Sequence, residues 1–162
     1  MTLPTDWQTR VDALWLRLDE TDPIAFLAEM QTLAAEREPN DPAALFELAS
    51  ANDSVGYEAQ AEPLYRQALA AGLDGSKRRR ATIQLASTLR NLSQFDEALA
   101  VLQAEQRQAS DDLDDAVTAI LALVLADLGR EREALALTLT ALAPHLPRYT
   151  RSVTNYAKAL LP

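Results

Sequence analysis

Apolar residues recur every three or four positions along most of the chain, which is the spacing of one face of an α-helix. Near the start, for example, Trp7, Val11, Leu14, Trp15 and Leu18 follow this spacing. No segment alternates between apolar and polar residues as a half-buried strand would. The pattern therefore predicts an all-α protein with nine helices, at Thr5–Leu18, Pro23–Glu38, Pro42–Asn52, Gly56–Ala71, Lys77–Asn91, Ser93–Gln108, Ser110–Gly129, Arg130–Ala143 and Arg148–Leu161.

Several helix starts carry capping residues. Asp22 and Asp41 each precede a proline, and aspartate before proline is typical of a capped first turn. We expect Ser76 and Ser93 to cap the fifth and sixth helices in the same way. All predicted connections are short, so consecutive helices should pack as antiparallel neighbours in one domain covering residues 1–162.

Three segments repeat one helix-turn-helix plan. In each, a small turn residue is followed five positions later by an alanine, and the units start 37 and 36 residues apart. The pairs are Gly56 with Ala61, Ser93 with Ala98, and Gly129 with Ala134. A period near 34 residues is typical of stacked helical pairs, which present extended binding surfaces.

On these residues the chain resembles the tetratricopeptide repeat superfamily. The three units read AALFELASANDSVGYEAQAEPLYRQALAAGL, RATIQLASTLRNLSQFDEALAVLQAEQRQ and AVTAILALVLADLGREREALALTLTALAP. The resemblance covers residues 42–146, although Thr138 stands where the family usually has an aromatic residue. It implies a right-handed solenoid of helical hairpins, with a degenerate leading pair at 1–41 and a capping helix at 147–162. The amino-acid sequence of the repeats also resembles a small bacterial subgroup of this superfamily, whose members mostly lack an assigned function.

The resemblance implies that the first helix of each pair lines a concave, peptide-binding face. Carried over residue by residue, that face consists of Phe46, Ser50, Arg80, Ile83, Gln84, Ser87, Arg90, Asn91, Ala119 and Leu123. Helical spacing independently places Arg80, Ser87 and Asn91 on one side of their helix. The family's known clamp for a terminal carboxylate is not reproduced, because Ile83 and Ser87 stand where that clamp has Lys and Asn.

The net charge of −9 disfavours nucleic acid as a partner. Residues 77–110 reverse the balance, with 6 basic and 3 acidic side chains. A guanidinium presents a planar fork of donors to a carboxylate, so Arg80 and Arg90 predict a partner segment that carries acidic residues. Alternatively, this basic run is a solvated helix start, or it pairs internally with the Asp111–Asp115 cluster.

Other candidate sites are weaker. The aspartates at 111–115 could bind a cation, but they lack the pattern of a calcium loop, and acids in a first turn also complement the helix dipole. The segment AVTAILALVLADL is apolar almost all round, which indicates either a buried helix or an apolar contact surface. His145 has no accompanying nucleophile motif, no phosphate-binding loop is present, and there is no Cys. We therefore predict no enzyme activity, no cofactor and no metal.

The sequence favours a non-catalytic protein–protein interaction module that presents a concave groove to a peptide or protein segment. The alternative is a homo-oligomeric scaffold that uses its end helices or the helix at 112–128 as the contact. An enzyme, or a nucleic-acid-binding subunit of one, is a third and disfavoured class. We expect a monomer rather than a homodimer, with no membrane segment and no secretory signal, and hence a cytoplasmic protein. The sequence does not identify the partner or its pathway.

Overall fold

The computed structural model describes residues 6–161. Within them the chain forms nine α-helices and no strand, which confirms the predicted fold class and helix order. Short 3-10 turns at Leu18–Glu20 and Ala143–His145 follow the first and the eighth helix. The helices are α1 Trp7–Trp15, α2 Pro23–Ala34, α3 Pro42–Ser54, α4 Glu58–Ala70, α5 Gly75–Asn91, α6 Phe95–Glu105, α7 Asp114–Asp127, α8 Glu131–Leu142 and α9 Thr150–Ala159. Thr5, the predicted start of the first helix, lies outside the described residues.

Two compact units make up the chain, Met1–Thr88 and Leu89–Pro162, and the boundary falls in the last turn of α5. In the first unit α2 packs against both α1 and α3, and α3 packs against α4. In the second unit α7 packs against both α6 and α8, and α9 packs against α8. The prediction of a single domain stays a prediction.

The three repeated turns share one backbone geometry. Gly56, Ser93 and Gly129 all have positive φ, at 84°, 60° and 74°. Each donates its N–H to the carbonyl three residues earlier, and the next N–H reaches the carbonyl five residues earlier. This is a Schellman motif, which ends a helix and satisfies its last carbonyls. The predicted role of Ser93 as a cap of the sixth helix is therefore wrong, because Ser93 ends α5 instead.

The aspartate caps are confirmed. Asp22 accepts hydrogen bonds from the N–H groups of Ile24 and Ala25, and Asp41 accepts one from Ala44 at 2.9 Å. The prediction for Ser76 is wrong, because α5 already begins at Gly75.

The seventh helix also begins later than predicted, at Asp114 rather than Ser110. The N–H of Leu113 donates to the side chain of Asp111 at 2.7 Å, which holds the preceding residues in a turn. A short polar side chain that bonds the backbone two residues on competes with the helix in this way.

Each unit has its own apolar core. In the first, α1 buries Val11 and Leu14 against α2, with Trp7 and Trp15 half-buried beside them, as the predicted stripe required. The repeated alanines Ala61, Ala98 and Ala134 are all buried. Most buried apolar residues of the second unit come from α6, α7 and α8, namely Ala98, Leu102, Val117, Leu121, Ala122, Val124, Leu125, Ala134 and Ala136.

Two helices of the second unit, α7 and α9, each expose a large apolar side chain. Helix α7 is not buried all round, because Leu123 is 45% exposed. On α9, Ala157 is buried and Val153 and Leu160 are half-buried, but Tyr156 is 70% exposed. Tyr156 therefore lies off the packed face of α9.

Candidate functional site

A concave pocket of about 360 Å³ lies within the first unit, between α1, α3 and α5. Each of the three helices contributes three side chains, at the three- and four-residue spacing that places them on one helical face. The lining residues are Gln8, Asp12, Trp15, Glu47, Ser50, Ser54, Lys77, Arg80 and Gln84. The pocket is thus bounded by the leading helix, the first helix of the first repeat and the first helix of the second.

A continuous chain of hydrogen bonds joins five of these side chains. The amide of Gln8 donates to Asp12 at 2.8 Å and accepts from the Lys77 ammonium at 2.6 Å. Lys77 also donates to Glu47 at 3.0 Å. The second carboxylate oxygen of Glu47 accepts from the Trp15 indole N–H at 2.8 Å. These bonds tie the three helices together through polar groups, so the shape of the pocket is set by side chains that also hold the fold.

The buried acid in this chain is neutralised internally. The side chain of Glu47 is 6% exposed, and that of its partner Lys77 is 27% exposed. A carboxylate this far from water requires a partner of opposite charge or several donors, and Glu47 has both. Because Lys77 and Glu47 cancel each other, Asp12 and Arg80 are the charges of the lining that face the pocket without an ionic partner among residues 6–161.

Arg80 is held by an aromatic ring instead of a carboxylate. Its guanidinium carbon lies 5.3 Å from the centroid of Phe46, and the Lys77 ammonium lies 5.8 Å from the same ring. Phe46 is fully buried and packs against Tyr65, with the ring centroids 6.4 Å apart. A cation–π contact positions a guanidinium without using its N–H donors. Those donors are therefore available to an acceptor that enters the pocket.

Gln84 lies one helical turn beyond Arg80. Its side-chain carbonyl oxygen Oε1 is buried and has no hydrogen-bond partner among the described residues. A buried acceptor in this state costs about 1–3 kcal/mol, and such groups are rare in folded proteins. Gln84 is thus an acceptor beside a set of available donors.

A second polar cluster lies next to α3 but does not line the pocket. The hydroxyl of Tyr65 donates to Asp53 at 3.3 Å. Burial raises the pKa of Asp53 above its ordinary value, and hydrogen bonds from Thr88 and Tyr65 partly offset that rise. Burial is also the main reason that the pKa of Tyr65 is raised. Asp53, Tyr65 and Thr88 come from α3, α4 and α5, so the hydrogen bonds of this cluster join the three helices.

The structure brings some of the sequence-predicted site residues together and leaves others apart. Ser50, Arg80 and Gln84 line the pocket, and Phe46 lies under Arg80. The remaining residues do not line it. Ile83 and Ser87 are half-buried on α5, Asn91 is exposed at its end, and Ala119 and Leu123 are exposed on α7.

Arg90 differs from Arg80 in having a carboxylate partner. Its guanidinium forms an ion pair with Asp127 of α7, within the second unit. The alternative prediction for this arginine was an internal ion pair with the Asp111–Asp115 cluster. The structure shows an internal ion pair, but its partner is Asp127. Arg80 therefore remains the arginine of the two that is available to an incoming carboxylate.

Six of the lining residues were not predicted from the sequence, namely Gln8, Asp12, Trp15, Glu47, Ser54 and Lys77. The family pattern was carried over only to the three repeats, and the leading helix was treated as a degenerate element. The spacing of Gln8, Asp12 and Trp15 would have shown a polar edge beside the apolar stripe of α1. The burial of Glu47 had no signal in the sequence, because its partners lie 30 and 32 residues away.

The other candidate residues do not form an enclosed site. His145 Nε2 lies 2.9 Å from Asp115 Oδ2, but both side chains are largely exposed. No group of three His, Cys, Asp or Glu side chains within residues 6–161 is arranged to hold a metal ion. None of the described helices has both the length and the apolar character needed to cross a membrane.

Comparisons with known proteins agree with this architecture. The model of the family described as Tetratrico peptide repeat matches residues 42–160. Among solved structures, nearly identical TPR-like repeats from a predicted kinesin light chain of Podosopora anserina are 19% identical, with a TM-score of 0.69, covering 99% of this chain and 94% of that one. The MamA RS-1 ArsTM double mutant is 17% identical, with a TM-score of 0.63, covering 98% and 96%. No curated protein matches the sequence. At these identities, the structural likenesses show the fold alone.

Proposed function

The chain belongs to the tetratricopeptide repeat family, and from this premise we propose that it is a non-catalytic interaction module whose pocket between α1, α3 and α5 binds a segment of a partner protein. Repeats of this family generally mediate protein–protein interaction. The proposal goes further by naming the surface and the residues that bind. The cytoplasmic location and the monomeric state expected from the sequence stay predictions.

One observation carries the proposal. Arg80 lines a concave pocket, is held in place by the buried ring of Phe46, and keeps its N–H donors unused among the described residues. Arginines are enriched among the residues that dominate binding energies, particularly where packing positions them in advance. A carboxylate of the partner, either a side chain or a chain terminus, is the acceptor that suits a guanidinium best.

Selection from a random peptide library displayed on phage, with the full chain as bait, would supply a probe peptide. The affinity of that peptide for the parent and for Arg80→Ala would then be measured by fluorescence polarisation. We expect Arg80→Ala to weaken binding at least about tenfold, or ~1.4 kcal/mol. Arg107→Ala is the matched control, because Arg107 is exposed, follows the end of α6 and is not among the residues that line the pocket. Failure to select any peptide, or equal affinity for the parent and Arg80→Ala, would refute the proposal.

A homo-oligomeric scaffold is the second candidate, and one observation favours it. The second unit exposes several large apolar side chains, on α7, α8, α9 and the turn before α9. They are Leu123, Leu135, Leu142, Tyr149 and Tyr156. Large apolar side chains exposed on several helices of one unit are candidates for a contact between subunits. Light scattering of the parent and of Tyr156→Glu tests this candidate, which requires a dimer that the substitution dissociates without loss of helix.

A further inference from the structure

We infer that the pocket selects a segment of mixed charge, with a basic side chain at Asp12 and a carboxylate at Arg80, rather than a segment that is simply acidic. This inference rests on the proposed function and deepens it. The sequence alone indicated an acidic partner, because its basic run was the feature that stood out. The lining of the pocket shows a second charge, of opposite sign, that has no ionic partner among the residues that the structure describes.

The charges of the lining divide into a neutralised pair and two separate groups. Glu47 and Lys77 form the pair, and Glu47 is almost fully buried. Asp12 is exposed on α1, and within residues 6–161 its Oδ1 accepts from the neutral amide of Gln8 alone. Arg80 is exposed on α5, against Phe46. A purely acidic segment would satisfy Arg80 and be repelled by Asp12, and a purely basic one would meet the reverse.

The surroundings of Asp12 suit a cation. Trp15 lies one turn further along α1, lines the same pocket and is half-buried. Its indole N–H already donates to Glu47, so the aromatic ring, rather than the N–H, is available to a ligand in the pocket. A carboxylate beside an aromatic ring attracts an ammonium or guanidinium through both Coulomb and cation–π terms.

The surroundings of Arg80 suit a peptide. Arg80 supplies N–H donors, and Gln84, four residues later, carries an acceptor that has no hydrogen-bond partner in the described part of the chain. A peptide group has a carbonyl acceptor and an N–H donor, and therefore complements such a pair once the Gln84 amide turns toward the pocket. A small anion would use only Arg80 and would leave Gln84 unsatisfied. The chemistry thus favours a protein segment over a free ion.

A synthetic peptide array tests this inference directly. The array permutes Glu, Lys and Ala over peptides of one length, so that acidic, basic, mixed and neutral members are compared on one surface. It is probed with the labelled full chain and with the isosteric variants Asp12→Asn and Arg80→Gln. Asp19→Asn and Arg107→Gln are the matched controls, because they change the net charge equally at exposed positions outside the pocket.

The parent should bind mixed-charge peptides about tenfold more strongly than acidic ones, which is the ratio expected for one additional charge-assisted contact. Asp12→Asn should abolish that discrimination by letting acidic peptides bind as well as mixed ones. Arg80→Gln should weaken the binding of mixed peptides and leave a residual preference for basic ones. Both control variants should behave as the parent does.

The failure modes are distinct. If acidic peptides bind the parent as well as mixed ones do, and Asp12→Asn changes nothing, the mixed-charge inference is wrong while the binding role of Arg80 stands. If basic peptides bind best, and Asp19→Asn weakens them as much as Asp12→Asn does, the net charge of the chain explains binding and the inference is also wrong. If no peptide binds, or Arg80→Gln has no effect, the proposed function itself fails.

Discussion

Replacement of Glu47 by alanine should destabilise the first unit strongly, because this side chain holds two partners from two other helices. Its carboxylate is 6% exposed, accepts from the Trp15 indole at 2.8 Å and pairs with Lys77 at 3.0 Å. Glu47→Ala leaves the indole N–H without its acceptor and the ammonium without its counter-charge. It should also leave Gln8 as the remaining described hydrogen-bond partner of Lys77.

The magnitude follows from the two orphaned groups. An unsatisfied, partly buried N–H costs about 1–3 kcal/mol. Breaking a fully buried ion pair costs about 3–5 kcal/mol, but Lys77 is 27% exposed and keeps Gln8, so roughly 1–2 kcal/mol is reasonable here. The sum, about 2–5 kcal/mol, is a large part of the stability of a small domain. Glu47→Gln should cost less, about 1–2 kcal/mol, because an amide oxygen still accepts from the indole.

Urea unfolding followed by tryptophan fluorescence measures this effect selectively. The chain has two tryptophans, Trp7 and Trp15, and both lie in α1, so their emission reports on the first unit. Circular dichroism reports on the helices of both units. Glu38→Ala is the control, because Glu38 is an exposed acid in the connection between α2 and α3. A fluorescence midpoint for Glu47→Ala equal to that of Glu38→Ala would refute this account of the pocket wall.

Three further predictions concern the rest of the fold. Ser93→Gly should stabilise the chain by roughly 1 kcal/mol, because glycine relieves a left-handed backbone, and a lower urea midpoint would contradict this. Ala98→Trp should cost about 1–3 kcal/mol by overpacking a fully buried site, whereas Ala100→Trp on the exposed side of α6 should not shift the urea midpoint. The pKa of Asp53 is raised above its ordinary 3.8, so the stability that Asp53 contributes should fall as pH rises through that range, and the parent should lose stability relative to Asp53→Asn. Asp53→Asn should remove that loss and be at least as stable as the parent at neutral pH, as urea midpoints at acidic and neutral pH would show.

The repeat was readable from the sequence because its signals are local. The turn residues and the alanines five positions later are set by backbone and packing rules within one helical pair, and Gly56, Ser93 and Gly129 indeed share one turn geometry. The role of Ser93 was misassigned because serine is a common helix cap and only its positive φ shows the other role. A sequence pattern does not reveal the sign of φ at a non-glycine residue.

The pocket was only partly predictable, since its composition depends on contacts between distant residues. The two arginines Arg80 and Arg90 look equivalent along α5, and only the structure shows that Asp127 pairs with the second. The pairing of Lys77 with Glu47 likewise spans 30 residues. No rule of helical spacing predicts which charges will be neutralised internally and which will remain available.

The residues that distinguish this pocket lie outside the repeated pattern. The repeated positions are small or apolar and serve helix crossing, as the burial of Ala61 and Ala98 shows. The polar lining comes from positions that vary between units, and a third of it comes from α1, which precedes the repeats. A stack of similar units can conserve its packing while its lining changes. The specificity of this chain should therefore depend on where the leading helix meets the first repeat, and Asp12, which only that helix supplies, is the residue that would change the charge of the preferred partner.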